Sequence, residues 1–201
     1  MIGKSLFVGD LVEWTALDHE KDAAALSAWT ADPHFSQNLF NKPARPYAVH
    51  EVKKKVKEML KEADEHHGTY YYAIRKKGST ELVALVRFGW LSFTHQGGRL
   101  FLDFVSPEAM QTYSTELMSM ALRFAFMELS LHRLWTEVAG CDIESIQLLE
   151  SAGFLREIQR REAVFSNGKY YDELIYSLLK PEWKARQEAE QKQELKQEVM
   201  A

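Results

Sequence analysis

The 201-residue sequence predicts an α/β (α+β) fold, and three observations carry that reading. Three segments of strand composition, 70–75, 81–93 and 99–105, follow one another with only short turns between them. Helical segments at 49–63 and 143–152 stand on either side of that run. A closing pair, 161–165 and 169–178, flanks Ser166-Asn167-Gly168, and Asn-Gly is the strongest short hairpin signal. Helices inserted among strands imply a mixed sheet with helices on both faces.

Each element has its own warrant. Residues 6–14 mix apolar and polar side chains and read as a first strand. Asp18 is placed to cap a helix over 18–29, with Ala23, Leu26 and Trp29 at helical spacing, and Asp32-Pro33 ends it. Residues 35–47 are irregular, with Pro43 and Pro46. In 49–63, Val52, Val56, Met59, Leu60 and Ala63 form one stripe and five lysines the wet face. That lysine face has two readings, an anion patch or ordinary solvation. His66-His67 gives no shared helix face for a metal ion.

Lys77-Gly78-Ser79 and Gln96-Gly97-Gly98 read as turns. In 99–105, Leu100, Leu102 and Phe104 alternate with Phe101, Asp103 and Val105. Residues 113–129 are apolar nearly all round, which marks a central helix. Residues 134–138 form the next strand. Asp142 caps 143–152, and Gly153 ends it with Phe154 packing back. A single domain over 1–180 is expected, followed by a charged tail at 181–201 that is helical or frayed.

Composition narrows the function classes. The chain is 46% hydrophobic and 27% charged with a formal net charge of −4, which argues against general nucleic-acid binding. Cys141 is the single cysteine, so no intramolecular disulfide forms and no cysteine metal set exists. The opening MIGKSLFVGD has no long apolar run, so neither leader nor membrane span is expected, and the expected location is cytoplasmic.

Four stretches carry a resemblance: FAFMELSLHRL (124–134), DIESIQLLESAGF (142–154), SNGKYYD (166–172) and YSLL (176–179). Their order and spacing resemble the GNAT N-acetyltransferase superfamily, in particular its ribosomal-protein-alanine acetyltransferase branch. WTADP (29–33) and the strands over 82–105 are similar to the same branch more loosely. The resemblance implies a GNAT-like acyl-CoA N-acyltransferase fold with a mostly antiparallel sheet and two splayed parallel strands. It implies acetyl-coenzyme A as co-substrate and an amine acceptor, a protein N-terminus or a small molecule. It leaves a homodimer as a candidate assembly, and a non-catalytic GNAT-fold binding module as the alternative to an enzyme.

The resemblance also places site residues. The pantetheine of the cofactor would lie along the strand ending at Phe104 and Val105. The pyrophosphate would rest on a loop at the N-terminus of the central helix, here Ala109 to Ser114. Gln111, Thr112, Tyr113, Ser114 and Thr115 are its candidate contacts, with Asp142 across the site. The usual Arg or Gln is Ala109, and the two usual glycines are Thr112 and Ser114. Glycine normally lets backbone approach phosphate without a Cβ in the way. Candidate catalytic groups are Ser145, Asp103 and Glu137: the serine matches the branch's motif serine, the carboxylates lie within strands. Trp29, Phe35, Phe40, Arg45, Tyr47 and Tyr171 are candidate acceptor contacts, with core packing as their other reading.

Overall fold

The computed structural model describes residues 5–32, 35, 45–66, 68–166 and 168–200, with side chains to residue 192. Phe40 lies outside the described residues. The strands are β1 (Val12–Ala16), β2 (Tyr70–Lys76), β3 (Leu82–Ser92), β4 (Gly97–Phe104), β5 (Arg133–Ala139), β6 (Leu155–Ser166) and β7 (Lys169–Leu179). The helices are α1 (Ala23–Trp29), α2 (Val49–His66), α3 (Pro107–Arg123), α4 (Ile143–Ala152) and α5 (Lys180–Met200). The hydrogen-bonded strand order is β1-β2-β3-β4-β5-β7-β6. β4 and β5 run parallel, with Gly97–Arg99 facing Arg133–Trp135, while the β1–β2, β2–β3, β5–β7 and β6–β7 ladders are antiparallel. This mixed sheet is the GNAT arrangement that the sequence predicts.

The chain divides into two compact units, Met1–Leu91 with Leu100–Ala121, and Ser92–Arg99 with Leu122–Ala201. β4 contributes residues to both units.

In the first unit, the core joins the sheet to α1 and α2. Leu17, Ala23, Leu26, Val52, Val56, Ala73, Leu82 and Leu85 are buried together, with Met59, Leu60 and Tyr71 packed against them. Burying a Leu or Val side chain contributes about 1.5–3 kcal/mol, which explains why the α2 stripe was readable in advance. α1 is shorter than the predicted 18–29. Asp18 caps a turn instead, accepting from the amides of Glu20 and Lys21. The carboxylate of Asp22 is buried and paired with Arg75 at 2.7 Å. β1 is also shorter than the predicted 6–14. Glu116 of α3 explains this: its carboxylate accepts the amides of Asp10, Leu11 and Val12, which holds that segment as a loop.

In the second unit, α3 passes into a π-helical turn, Phe124–Glu128, closed by the Leu129 amide bonding to the Phe124 carbonyl at 3.0 Å. α4 starts and stops as its sequence signals direct. Asp142 accepts the Ser145 amide at 3.1 Å. Gly153 takes the left-handed conformation, φ 94°, that a side chain resists, and the Phe154 amide returns to the Leu149 carbonyl. The tail is helical. Trp183 of α5 packs on Phe126 with ring centroids 5.3 Å apart, and Arg186 donates to the Ser151 carbonyl at 2.7 Å. The start of α5 is therefore docked rather than frayed. β6 begins six residues earlier than predicted and is exposed along nearly its whole length. A two-period hydrophobic pattern cannot signal a strand that buries neither face.

Candidate functional site

The predicted pyrophosphate loop is not a loop. α3 begins at Pro107, so Ala109, Gln111, Thr112, Tyr113, Ser114 and Thr115 all lie in regular helix, six residues before the predicted start. Ser106 caps it: its hydroxyl oxygen accepts the Ala109 amide at 3.2 Å and its carbonyl accepts the Met110 amide at 3.0 Å. Pro107 has no amide hydrogen. The Glu108 carboxylate accepts from the Ser106 hydroxyl and from its own amide, and these bonds hold its pKa below the usual value. Thr112 donates its hydroxyl back to the Glu108 carbonyl at 2.8 Å, and Ser114 is buried. Gln111 and Thr115 are exposed and Tyr113 is half-buried.

This first turn does not fit a pyrophosphate. A helix end attracts phosphate through unbonded amides and the positive pole of its dipole. Here the amides of Glu108, Ala109 and Met110 are bonded within the turn, and an ionised carboxylate occupies the pole. Glycines at Thr112 and Ser114 would not change that, because both are a turn or more into the helix. Phe104 ends β4, and Val105 follows with its amide donated to the Val83 carbonyl at 3.0 Å. The Val105 amide is therefore spent on the sheet. Asp142 is occupied as the α4 cap, as its alternative reading as a helix cap required.

The candidate catalytic residues stand on three different elements, α4, β4 and β5. Ser145 is half-buried in the first turn of α4, its amide bonded to Asp142. Asp103 is a half-buried β4 residue in the first unit. Glu137 of β5 belongs to an ion cluster in the second unit. One oxygen meets Arg99 at 2.6 Å and the other meets Arg160 at 2.8 Å. Arg160 also pairs with Glu173, and Arg99 lies over the Trp135 ring at 5.2 Å. The two guanidiniums tie the Glu137 carboxylate of β5 to β4 on one side and β6 on the other.

Of the predicted acceptor aromatics, Phe35 and Tyr47 lie in the core of the first unit and Trp29 packs against it. Phe35 is 5% exposed and Tyr47 4% exposed, and Trp29 meets Phe35 edge-on with centroids 5.2 Å apart. The Ser27 hydroxyl donates to the Tyr47 carbonyl at 2.6 Å. Arg45 stacks over Tyr47 at 3.9 Å and forms an ion pair with Glu51 at 2.7 Å. Tyr171 is half-buried on β7, opposite Val164.

Sequence reasoning missed two groups. Tyr176 is buried, and its hydroxyl donates to Glu150 at 2.9 Å. Burial first, and the Glu150 carboxylate second, raise its pKa, so it remains a proton donor at neutral pH. Its signal was the YSLL motif, which reads equally as strand core. The other is Arg87 of β3, whose Nε is buried without a hydrogen-bond partner among the described residues. Among the described residues no group of His, Cys, Asp and Glu is arranged to hold a metal ion, and no helix is long and apolar enough to cross a membrane.

A parallel β4–β5 pair continuing into a capped central helix, with an antiparallel β5-β7-β6 flank, defines the acyl-CoA N-acyltransferase class of fold. The chain belongs to the GNAT acetyltransferase family: the acetyltransferase (GNAT) domain matches residues 17–175. Enzymes of this family draw their acetyl group from acetyl-coenzyme A. The chain is similar to the SPbeta prophage-derived uncharacterized N-acetyltransferase YokL of Bacillus subtilis (strain 168), 32% identical over 83 residues, 41% of this chain and 47% of that protein. It is also similar to the putative ribosomal N-acetyltransferase YdaF of the same organism, 39% identical over 62 residues, 31% of this chain and 34% of that one. These matches span half or less of the curated relatives' length. Among solved structures, spermidine N-acetyltransferase from Vibrio cholerae in complex with CoA and spermine superposes with a TM-score of 0.73, at 19% identity, over 87% of this chain and 99% of that one. That identity supports a shared fold.

Proposed function

We propose that this protein is an N-acetyltransferase that transfers acetyl from acetyl-coenzyme A to an amine. The observation that carries the reading is the family match over residues 17–175 together with the parallel β4–β5 pair. The acceptor class is a small amine or a protein N-terminus. The spermidine enzyme among the fold neighbours supports the first and the ribosomal relative supports the second. Asp103 is the proposed amine anchor, Ser145 the proposed hydroxyl donor, and Glu137 a positioning group.

One observation favours a second reading, a GNAT-fold module without acetyl transfer: the self-bonded first turn of α3, with Glu108 at its pole. One experiment separates the two. The protein is incubated with acetyl-coenzyme A and, separately, spermidine, spermine and an alanine-starting peptide, and free thiol release is followed. Calorimetry with acetyl-coenzyme A runs in parallel. Acceptor-dependent thiol release establishes the enzyme. No release with any acceptor and no binding at millimolar cofactor establishes the module.

A further inference from the structure

The first unit contains an open pocket of about 310 Å³ that the acetyltransferase reading does not use. Its lining includes Thr69, Tyr71, Arg87, Gly89, Trp90 and Phe101. The volume lies at the lower end of small-molecule sites. Three features set it apart from a surface dimple.

The first is Arg87. Its guanidinium carbon lies over the Phe101 ring, 3.7 Å from the centroid, which covers one side of the group. Its Nε is buried and bonded to nothing. Among the described residues Arg87 makes no ion pair and no hydrogen bond. A buried donor without an acceptor is costly, and with Nε closed off from solvent the two terminal amino groups are the donors that Arg87 offers a ligand in the pocket. The second is Trp90, 75% exposed and held at φ 53°, a conformation that few residues other than glycine adopt. A large aromatic displayed from a strained backbone is a recurrent mark of a ligand clamp. The third is Gly89. A Cβ there would lie 3.3 Å from Phe101 Cε2 and 3.8 Å from Thr69 Oγ1, so any side chain would intrude on the pocket beside the arginine. Tyr71 stands opposite Arg87 in the β2–β3 ladder and supplies another wall.

We infer that this pocket binds a small organic carboxylate with a planar or aromatic body. The planar fork of a guanidinium matches a carboxylate through two parallel hydrogen bonds, and the stacked Phe101 fixes the fork's orientation. Trp90 and Tyr71 cover the ligand's apolar faces. A polyamine has the same sign of charge as Arg87 and is repelled. The site is thus separate in chemistry from a spermidine pocket, and it stands whether or not the chain transfers acetyl groups.

The test is direct binding, read without any acetyl donor. Phenylacetate is titrated calorimetrically against the full chain, with phenylacetamide as its neutral isostere and with spermidine and inorganic phosphate as controls. Phenylacetate is expected to bind with quenching of tryptophan fluorescence, and phenylacetamide about tenfold or more weaker, the scale of a charge-assisted pair. Arg87→Gln is expected to lose the preference for acid over amide, with circular dichroism and melting confirming its fold. Trp90→Ala, at an exposed position, is expected to keep that preference while losing the fluorescence quench. Equal binding of acid and amide, an unchanged preference in Arg87→Gln, or phosphate or spermidine binding as tightly as phenylacetate would each overturn the inference.

Discussion

Glu137→Gln tests whether a strand carboxylate serves chemistry or architecture. The substitution keeps the shape and one acceptor oxygen but removes the charge shared by Arg99 and Arg160. The Arg99 side of the pair is well sheltered, with side chains 18% and 15% exposed and 2.6 Å between them, so it carries the range for charged hydrogen bonds, about 1.5–3 kcal/mol. Arg160 is 49% exposed, and solvent reduces its share to about 0–1 kcal/mol. Glutamine recovers part of both, which leaves an expected loss of about 1–3 kcal/mol. In a chain of this length each kcal/mol moves the midpoint by about 2–4 °C, so melting should fall by roughly 2–12 °C. Thermal unfolding is measured beside the pH dependence of acetyl transfer. An unchanged melting curve with loss of the acidic limb of the rate profile would refute the positioning role and restore Glu137 as a base.

The remaining predictions concern what holds the fold. Asp22→Ala should cost about 3–5 kcal/mol in urea unfolding, because it leaves Arg75 sheltered without its carboxylate, while Asp22→Leu with Arg75→Met should recover most of that loss. Glu51 has its pKa lowered to about 2, chiefly by Arg45 and then by the Ala48 amide. A lowered carboxylate pKa stabilises above the ordinary value of 4.5 and loses that contribution as pH falls towards 2. The melting temperature should therefore decline over that window, and Glu51→Gln should flatten the decline; parallel curves would count against the assignment. Gly153→Ala places a Cβ at φ 94° and 2.7 Å from Arg186 Cδ, so a loss of about 1–3 kcal/mol is expected, and a neutral result would mean the α4 terminus relaxes freely.

The features legible in the chain are local and periodic. The α2 stripe, the Asp142 cap, the Gly153 stop and the Asn-Gly hairpin were all legible, because each depends on a few neighbouring residues. The family motifs from Phe124 to Leu179 extended that reading to the parallel β4–β5 pair. Local signals ran short at particular residues. Ser106-Pro107-Glu108 is itself a helix start, yet the apolar pattern placed the start at Tyr113 and the motif match put a loop over Ala109 to Ser114, which is helical. Glu116 shortens β1 from more than a hundred residues away. Trp29, Phe35 and Tyr47 are aromatic in either a core or a binding slot, and only packing showed that they are core. The charge partners came from the tertiary structure as well: Glu137 with Arg99 and Arg160, Asp22 with Arg75, and Arg87 with the Phe101 ring. Propensity and periodicity act over a turn or a strand, whereas the partner of a charge is whichever group the fold brings within a few ångströms, and no spacing in the chain encodes that distance.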